Sequence, residues 1–241
     1  MRKKLLKTIL AVAAVACLVS CGGNGGNNAP EFRWNGDVIG AVKRYGENQN
    51  IDIIMDNLDT VRTVNTKDLD PEKFSDGTRV ISFVYMNQRT KVGNHFVFNT
   101  LVDNIAPMPV KKVLDLSYVN ADPERVDSVG NDPIIIKDEY GAVISGNFID
   151  VRYYYLYDSK ESKKHNITFV ADDENSSDSK LYLAMRHRSD NDEGADVFNG
   201  VLSCDIKKYL DNAKDGKLTI ELIYNDGIID QKRVLSWTRP E

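Results

Sequence analysis

The chain contains little cysteine and little histidine, with three residues of each among 241. Cys17 and Cys21 lie close to the N-terminus, so Cys204 is the one cysteine left for the folded body. A single body cysteine excludes an internal disulfide and a cysteine-based metal cluster. Cys204 ends the apolar run Val201-Leu202-Ser203-Cys204, which favours a small buried hydrophobic residue over a reactive thiol.

Positive charge is outnumbered by negative charge, with 31 basic and 36 acidic residues. The formal net charge is −5, and the first 20 residues hold four basic residues and no acidic one, so the remainder carries −9. An acidic balance repels phosphate backbones, which argues against nucleic acid as a partner. It argues equally against electrostatic docking on anionic lipid.

Long apolar runs are missing, and the run from Ile9 to Leu18 is too short to span a bilayer. It follows four basic residues and leads into Leu18-Val19-Ser20-Cys21, which is the order of a bacterial lipoprotein signal. We therefore expect residues 1–20 to be cleaved and Cys21 to carry the lipid. An ordinary secretory signal with an incidental cysteine is the alternative.

Residues 21–36 are rich in Gly and Asn, which predicts a flexible tether between the lipid and the body. The tether lacks the acidic run that resembles a surface-export tag in such bacteria. We therefore expect anchoring on the periplasmic face of the outer membrane, with the cell surface as the alternative. The lipid would be the link to the membrane.

Residues 37–117 show short alternating strands separated by Gly, Asn and Asp turns, which favours a small barrel. The predicted strands are Val38–Val42, Ile51–Met55, Val61–Val64, Arg79–Tyr85, His95–Val102 and Val110–Leu116. We expect the last of these to close the barrel.

Residues 118–241 form the second predicted domain. It opens with a polar stretch from Asn120 to Pro133, which predicts a linker or a long loop because it contains two prolines and several acids. Further short strands then favour an antiparallel sandwich with one short helix at Ile206–Leu210, capped by Asp205. These strands are Ile134–Ile136, Phe148–Tyr157, His165–Val170, Leu181–Arg188, Gly200–Asp205, Leu218–Tyr224 and Gln231–Trp237.

Five segments in this order and spacing resemble the NigD-like lipoproteins of gut-type Gram-negative bacteria. They are Asp76–Val80, Asn131–Ile134, Lys164–Ile167, Leu181–His187 and Gly200–Asp205. The resemblance implies an all-β protein with an N-terminal OB-type barrel and a C-terminal β-sandwich. It brings no catalytic residues, and the bacteriocin operon behind the family name is an association rather than a mechanism.

Two groups of aromatic residues are candidate sites. Tyr153, Tyr155 and Tyr157 share one face of a strand, where an exposed stripe could stack sugar rings and a buried stripe would be core. Ile149 continues that face, so we interpret the stripe as core. His165 and His187 lack a third ligand nearby, and His95 belongs to the other domain, so we expect packing or hydrogen bonding rather than a metal site.

The acidic segment Asp190–Asp196 could hold calcium, but its spacing departs from the EF-hand order. We expect a solvated loop here. The acidic segment Asp172–Glu174 is a weaker candidate for calcium, and we expect it to be a solvated loop as well. Signatures of nucleophilic hydrolases, phosphate-binding loops and dinucleotide sites are missing from the sequence. We therefore expect no catalytic residues, no cofactor and no metal.

The sequence as a whole predicts a lipid-anchored, non-enzymatic binding or interaction module of the cell envelope. Its ligand would be a protein or a glycan. One alternative is a bacteriocin-associated immunity or secretion accessory protein, and another is a hydrolase with an unrecognised site.

Overall fold

The computed structural model describes residues 34–45, 50–137, 140–161, 163–192 and 194–239. The predicted signal, the lipidation residue Cys21 and all but the last residues of the tether lie outside the described residues. The chain divides into two compact units between Pro107 and Met108. Both units are built mainly of β-strands, as predicted.

The first unit is a closed barrel of five strands. They are β1 (Trp34–Tyr45), β2 (Asn50–Met55), β3 (Thr60–Thr63), β4 (Arg79–Val92) and β5 (His95–Pro107). The order around the barrel is β1-β2-β3-β5-β4, β4 pairs back to β1, and the β3–β5 pair is parallel. This arrangement confirms the OB-like barrel, which has no free edge.

The barrel interior follows from the alternation of its strands. Ile51 and Ile53 of β2 are fully buried, and Phe74 adds its ring to the same core from the β3–β4 connection. Asp52 lies between the two isoleucines and faces the other way, where its register partner Arg62 binds both carboxylate oxygens at 3.0–3.1 Å.

The second unit contains nine strands, three short α-helices and a 3-10 turn at Lys214–Gly216 among the described residues. The first elements are β6 (Val110–Asp115), α1 (Leu116–Asn120), α2 (Pro123–Val129), β7 (Ile135–Ile136), β8 (Ala142–Ser145) and β9 (Phe148–Tyr157). The rest are β10 (Asn166–Ala171), β11 (Lys180–Arg188), β12 (Asp196–Asp205), α3 (Lys207–Asp211), β13 (Lys217–Asn225) and β14 (Asp230–Thr238).

Strand β6 joins the two halves of the sandwich. Its first residues pair with β12, and its last residues pair with β10, so the sheet runs β14-β13-β11-β10-β6-β12-β9-β7 with β8 beside β9. A strand that passes from one sheet to the other forms a corner of a sandwich. The sequence interpretation placed this strand in the barrel, whereas Val113 packs in the core of the second unit.

The polar stretch predicted as a linker or long loop is instead largely helical. Asp122 caps α2 by accepting a hydrogen bond from the Glu124 amide at 2.9 Å, Pro123 occupies the first turn, and Gly130 ends the helix at φ 66°. The expectation of one short helix was therefore wrong. The helix that was expected is α3, where Asp205 accepts a hydrogen bond from the Lys207 amide.

The sandwich core lies between the two sheet faces. Leu181, Leu183 and Met185 alternate along β11 with full burial, and Phe169 of β10 is equally inaccessible. Cys204 belongs to the same core, as predicted, and burial raises the pKa of its thiol far above the usual range. Within the described ranges, no helix combines the length and the apolar character needed to cross a bilayer.

Candidate functional site

The two histidines of the second unit are brought together by strand register. His187 continues the buried face of β11, and its partner on β10 is Ile167. His165 comes one residue before β10 and two residues before Ile167, which makes it the diagonal neighbour of His187 on the same face. The two rings are 5.2 Å apart between centroids.

A chain of hydrogen bonds runs through both imidazoles. His165 Nδ1 and His187 Nε2 are 3.0 Å apart. The other nitrogen of His187, Nδ1, lies 2.9 Å from the Pro133 carbonyl oxygen, and the other nitrogen of His165, Nε2, lies 2.9 Å from Asp192 Oδ2. The predicted hydrogen-bonded role of the two histidines is confirmed, and all four ring nitrogens have partners.

Asp192 contradicts the expectation that the acidic loop is solvated, whereas Asp190 and Asp196 are exposed as expected. Its side chain is 1% exposed, and its second oxygen accepts hydrogen bonds from the Asp158 and Gly194 amides, each at 2.9 Å. Burial alone would raise the pKa of this carboxyl, but the hydrogen bonds from His165 and the two amides lower it to about 2. Asp192 is therefore a carboxylate at neutral pH.

The start of the same loop is fixed by a second carboxylate. Asp132 Oδ2 accepts hydrogen bonds from the Ser189 amide at 2.6 Å and the Ser189 hydroxyl at 2.7 Å. Burial opposes ionisation of Asp132, but these two bonds outweigh it and lower its pKa. The Asp132 amide in turn donates to the His187 carbonyl at 2.7 Å.

Aromatic rings cover the histidine pair. Tyr155 of β9 stacks on His165 at 4.4 Å, on His187 at 4.6 Å and on Phe198 of β12 at 4.9 Å. Tyr153 is 7% exposed and joins the sandwich core. The tyrosine stripe therefore packs inward, which agrees with its interpretation as core.

The other singled-out residues do not join this cluster. His95 begins β5 in the barrel unit. Asp190 pairs with Arg188, and Asp196 accepts a hydrogen bond from the Ser159 amide, so the carboxylates of the loop have separate partners. Asp172 binds Asn175, and Asp173 binds Ser117. Across the described residues, no group of three His, Cys, Asp or Glu side chains has the arrangement of a metal site.

A second feature, which the sequence reasoning missed, is the free edge of β14. This strand is nine residues long, has regular register with β13 and pairs with no other strand among those described. The strands at the opposite end of the sheet, β7 and β8, have two and four residues. The long edge contains no proline and no bulge, which are two of the usual obstacles to pairing, although the strand also carries charged residues, Lys232 among them.

The direction of the β14 amides follows from two bonds at the ends of the hairpin. Arg239 donates to the Gly216 carbonyl, and Asp226 donates to the Ile229 carbonyl. Antiparallel bonding alternates along the strand, and both pairs fit the same register, so the even-numbered β14 amides point away from β13. Val234 lies at the middle of this outward row.

Apolar side chains accompany the free edge. Val234 is 58% exposed, and Ile228 and Ile229 at the hairpin tip are 88% and 61% exposed. The tip is held in shape by Asp226, whose carboxylate accepts hydrogen bonds from both isoleucine amides. An ordered hairpin therefore presents unpaired backbone groups and aliphatic side chains together.

Comparison with known proteins identifies the second unit. A family model described as NigD-like C-terminal beta sandwich domain matches residues 117–234. The second unit is therefore a NigD-like C-terminal sandwich domain. None of the curated proteins compared with it matches.

Solved structures share the fold of this chain. A protein of unknown function from Bacteroides vulgatus has a TM-score of 0.64 at 18% identity, covering 86% of this chain and 92% of its own. A NigD-like immunity protein from Bacteroides caccae has a TM-score of 0.57 at 18% identity, covering 84% and 97%. A candidate lipoprotein from Bacteroides fragilis has a TM-score of 0.55 at 15% identity, covering 87% and 100%.

The NigD-like sandwich thus carries two features of different kinds. The cluster of His165, His187 and Asp192 is buried and fully hydrogen-bonded, which suits a structural or protonation-dependent role. The β14 edge is exposed and unpaired, which suits contact with another molecule. Sequence reasoning found both histidines but assigned Asp192 to solvent, and a nine-residue strand pattern near the C-terminus gave no sign that it was an edge.

Proposed function

We propose that this protein is a lipid-anchored, non-enzymatic interaction module of the cell envelope that binds a partner protein through β14. An extended segment of the partner would add to the sheet as a further strand. The observation that carries this proposal is the row of outward amides centred on Val234. Strand addition of this kind takes its affinity from main-chain hydrogen bonds and its specificity from alternate side chains.

The chemistry of this edge favours a protein over a glycan. A peptide strand matches the spacing of the β14 amides and carbonyls, and aliphatic residues of the partner can cover Val234, Ile228 and Ile229. A glycan site needs exposed aromatic faces, whereas Tyr153 and Tyr155 pack against the core and the histidine pair.

The anchor in this proposal is Cys21, and the site of anchoring is the periplasmic face of the outer membrane. The basic start, the short apolar run and the Leu-Val-Ser-Cys sequence support lipidation. The candidate lipoprotein from Bacteroides fragilis, which shares the fold, is consistent with an envelope protein.

An immunity role is a specific form of the same proposal. The Bacteroides caccae neighbour is named as a NigD-like immunity protein, and binding of a bacteriocin at the β14 edge is one way in which this chain could fill such a role. The β14 edge would serve equally for that partner. A partner that is itself a bacteriocin would identify this form.

Site-specific photo-crosslinking in the producing bacterium tests the proposal. A photoreactive residue replaces Ser236, which lies on the free edge, or Tyr118, which is 52% exposed on α1. We expect a discrete crosslinked product from position 236 and none from position 118. The same experiment is repeated with Val234→Pro and with the matched variant Val234→Thr.

Val234→Pro removes an outward amide and blocks an incoming strand, but it breaks no bond to β13. We therefore expect the crosslink to disappear in Val234→Pro and to persist in Val234→Thr, with both variants folded. A product that survives Val234→Pro, or equal products from positions 236 and 118, contradicts strand addition at β14.

A further inference from the structure

We propose that His165, His187 and Asp192 form a protonation-dependent latch that holds the loop between β11 and β12. Two neutral imidazoles carry one N–H proton each. The latch is closed when the pair carries one further proton, and it opens when that proton leaves. This inference is independent of strand addition at β14, because it rests on the hydrogen-bonded chain alone.

The acceptors at the two ends of this hydrogen-bonded chain determine which ring nitrogens carry protons. The Pro133 carbonyl can only accept, so His187 Nδ1 carries a proton and donates it. The Asp192 carboxylate accepts from two amides and also faces His165 Nε2, so that nitrogen carries a proton as well. Each ring has now used the single proton of its neutral form.

The central bond then needs one more proton. His165 Nδ1 and His187 Nε2 are 3.0 Å apart, and without a proton between them two lone pairs would face each other at that distance. The complete hydrogen-bonded chain of His187, His165 and Asp192 therefore contains one imidazolium and one carboxylate, and these three side chains together have no net charge. If the extra proton leaves, two protons remain for three hydrogen bonds, so the central bond, the bond to Asp192 or the bond to the Pro133 carbonyl must be lost. In each case Asp192 no longer faces an imidazolium.

The carboxylate that balances the extra charge contacts the His165 end of the pair. Burial lowers the pKa of His187, and repulsion from His165 acts in the same direction. His165 instead contacts the carboxylate directly, and its side chain is 7% exposed while that of Asp192 is 1% exposed. A shielded ion pair of this kind is stronger than one in water.

The loop needs this bond to keep its shape. Asp190 and Asn191 both have positive φ, at 53° and 59°, which is an unfavourable conformation for residues with a side chain. Beyond them, Gly194 touches the backbone of Tyr157 and Asp158. Asp192 links this strained segment to both histidines, whereas Ser189 is fixed separately by Asp132.

Other charged groups around the pair do not replace the latch. Lys163 donates to the Asn191 carbonyl from the exposed side, and Arg188 pairs with Asp190 and Asp127. Burial raises the pKa of the Tyr155 hydroxyl, so this ring stays neutral across the range considered. The titratable groups placed against the pair are Asp132, Tyr155 and Asp192, and Arg188 lies beside Asp132.

The test uses the wild-type protein without its lipid, labelled with nitrogen-15 and studied by NMR from pH 5 to pH 9. We expect ring nitrogen shifts at the acidic end to show one imidazolium shared by His165 and His187. We also expect the exchange protection of the Asp158 and Gly194 amides to fall about tenfold or more on going to the alkaline end. His95→Gln serves as the control and should change neither result.

Two outcomes would overturn the latch. One is a spectrum in which both rings are neutral at pH 5 while the loop is protected. The other is protection of the Asp158 and Gly194 amides that stays constant from pH 5 to pH 9 after correction for intrinsic exchange. Asp192→Asn provides a further check, because it should remove the pH dependence while the Ser189 amide stays protected by Asp132.

Discussion

Gly194 lies directly against the backbone of Tyr157: a Cβ at position 194 would come within 2.0 Å of the Tyr157 carbonyl carbon. Real Cβ atoms do not approach backbone so closely, so any larger residue must push the loop away from β9. The contact brings Asp192 within reach of the Asp158 amide and His165.

Gly194→Ala should therefore destabilise the second unit. We expect a loss of about 1–3 kcal/mol in the free energy of unfolding, the usual cost of steric strain in a packed region. Ala195→Gly in the same loop is the control, because Ala195 is exposed, and it should stay within about 0.5 kcal/mol. Urea denaturation of the soluble body measures both, and equal losses would contradict the packing argument.

Asp192 and Asp190 provide a matched pair two residues apart. Asp192→Asn removes the charge that faces His165, so the melting temperature should fall by several degrees. Asp190→Asn disrupts a half-exposed ion pair with Arg188 and should change the melting temperature little. Differential scanning calorimetry at pH 6 compares the two, and similar shifts would mean that Asp192 is as solvated as Asp190.

The buried His187 should make stability depend on pH. Its pKa is lowered by burial, so below the ordinary value of 6.5 the unfolded chain binds a proton that the folded chain does not. The contribution is fully present above pH 6.5 and is lost as the pH falls through the lowered folded pKa. Asp192 adds a second loss between its ordinary pKa of 3.8 and its folded pKa of about 2.

Urea denaturation at closely spaced pH values measures this slope. In His187→Gln the decline that begins near pH 6.5 should be smaller, while the decline below pH 3.8 should remain. His95→Gln is the control and should keep both. An unchanged decline near pH 6.5 in His187→Gln would assign it to another group.

The positions of the strands could be predicted from the sequence because apolar and polar residues alternate strongly along them. Leu181, Leu183, Met185 and His187 mark one buried face of β11 at a period of two, and this pattern alone predicts a strand. The order of the strands in the sheet could not be predicted in the same way. Nothing in Val110–Asp115 indicates that its two ends pair with strands far apart in the chain, β12 and β10.

The short helices were missed for a different reason. α1 and α2 have five and seven residues and bury only Val119 and Val129, so they show no helical periodicity. The sequence Asp122-Pro123-Glu124, followed by Gly130, was nevertheless a start and stop signal for a helix. The polar, proline-containing composition of this stretch is equally typical of a loop.

Only part of the candidate site could be predicted from the sequence. Spacing showed that His187 lies on a buried face, but only the β10–β11 register brings His165 beside it. The burial of Asp192 depends on the close contact of Gly194 with Tyr157, a long-range backbone approach that local composition does not encode. A cluster of acidic residues in a loop predicts solvated carboxylates, and only the tertiary structure shows that Asp192 has buried hydrogen-bond partners.

Lipidation of Cys21 is the prediction that decides where the protein works. Its acyl chains would provide the membrane affinity, at about 0.8 kcal/mol for each buried methylene, while the net charge of −9 after the leader opposes binding to anionic lipid. Cys21→Ser should therefore move the protein from the membrane fraction to the soluble fraction. Cys17→Ser is the matched control, because this residue lies within the predicted leader, and it should leave the protein with the membranes. A Cys21→Ser protein that still sediments with membranes after a detergent-free wash would mean that something other than the lipid holds it there.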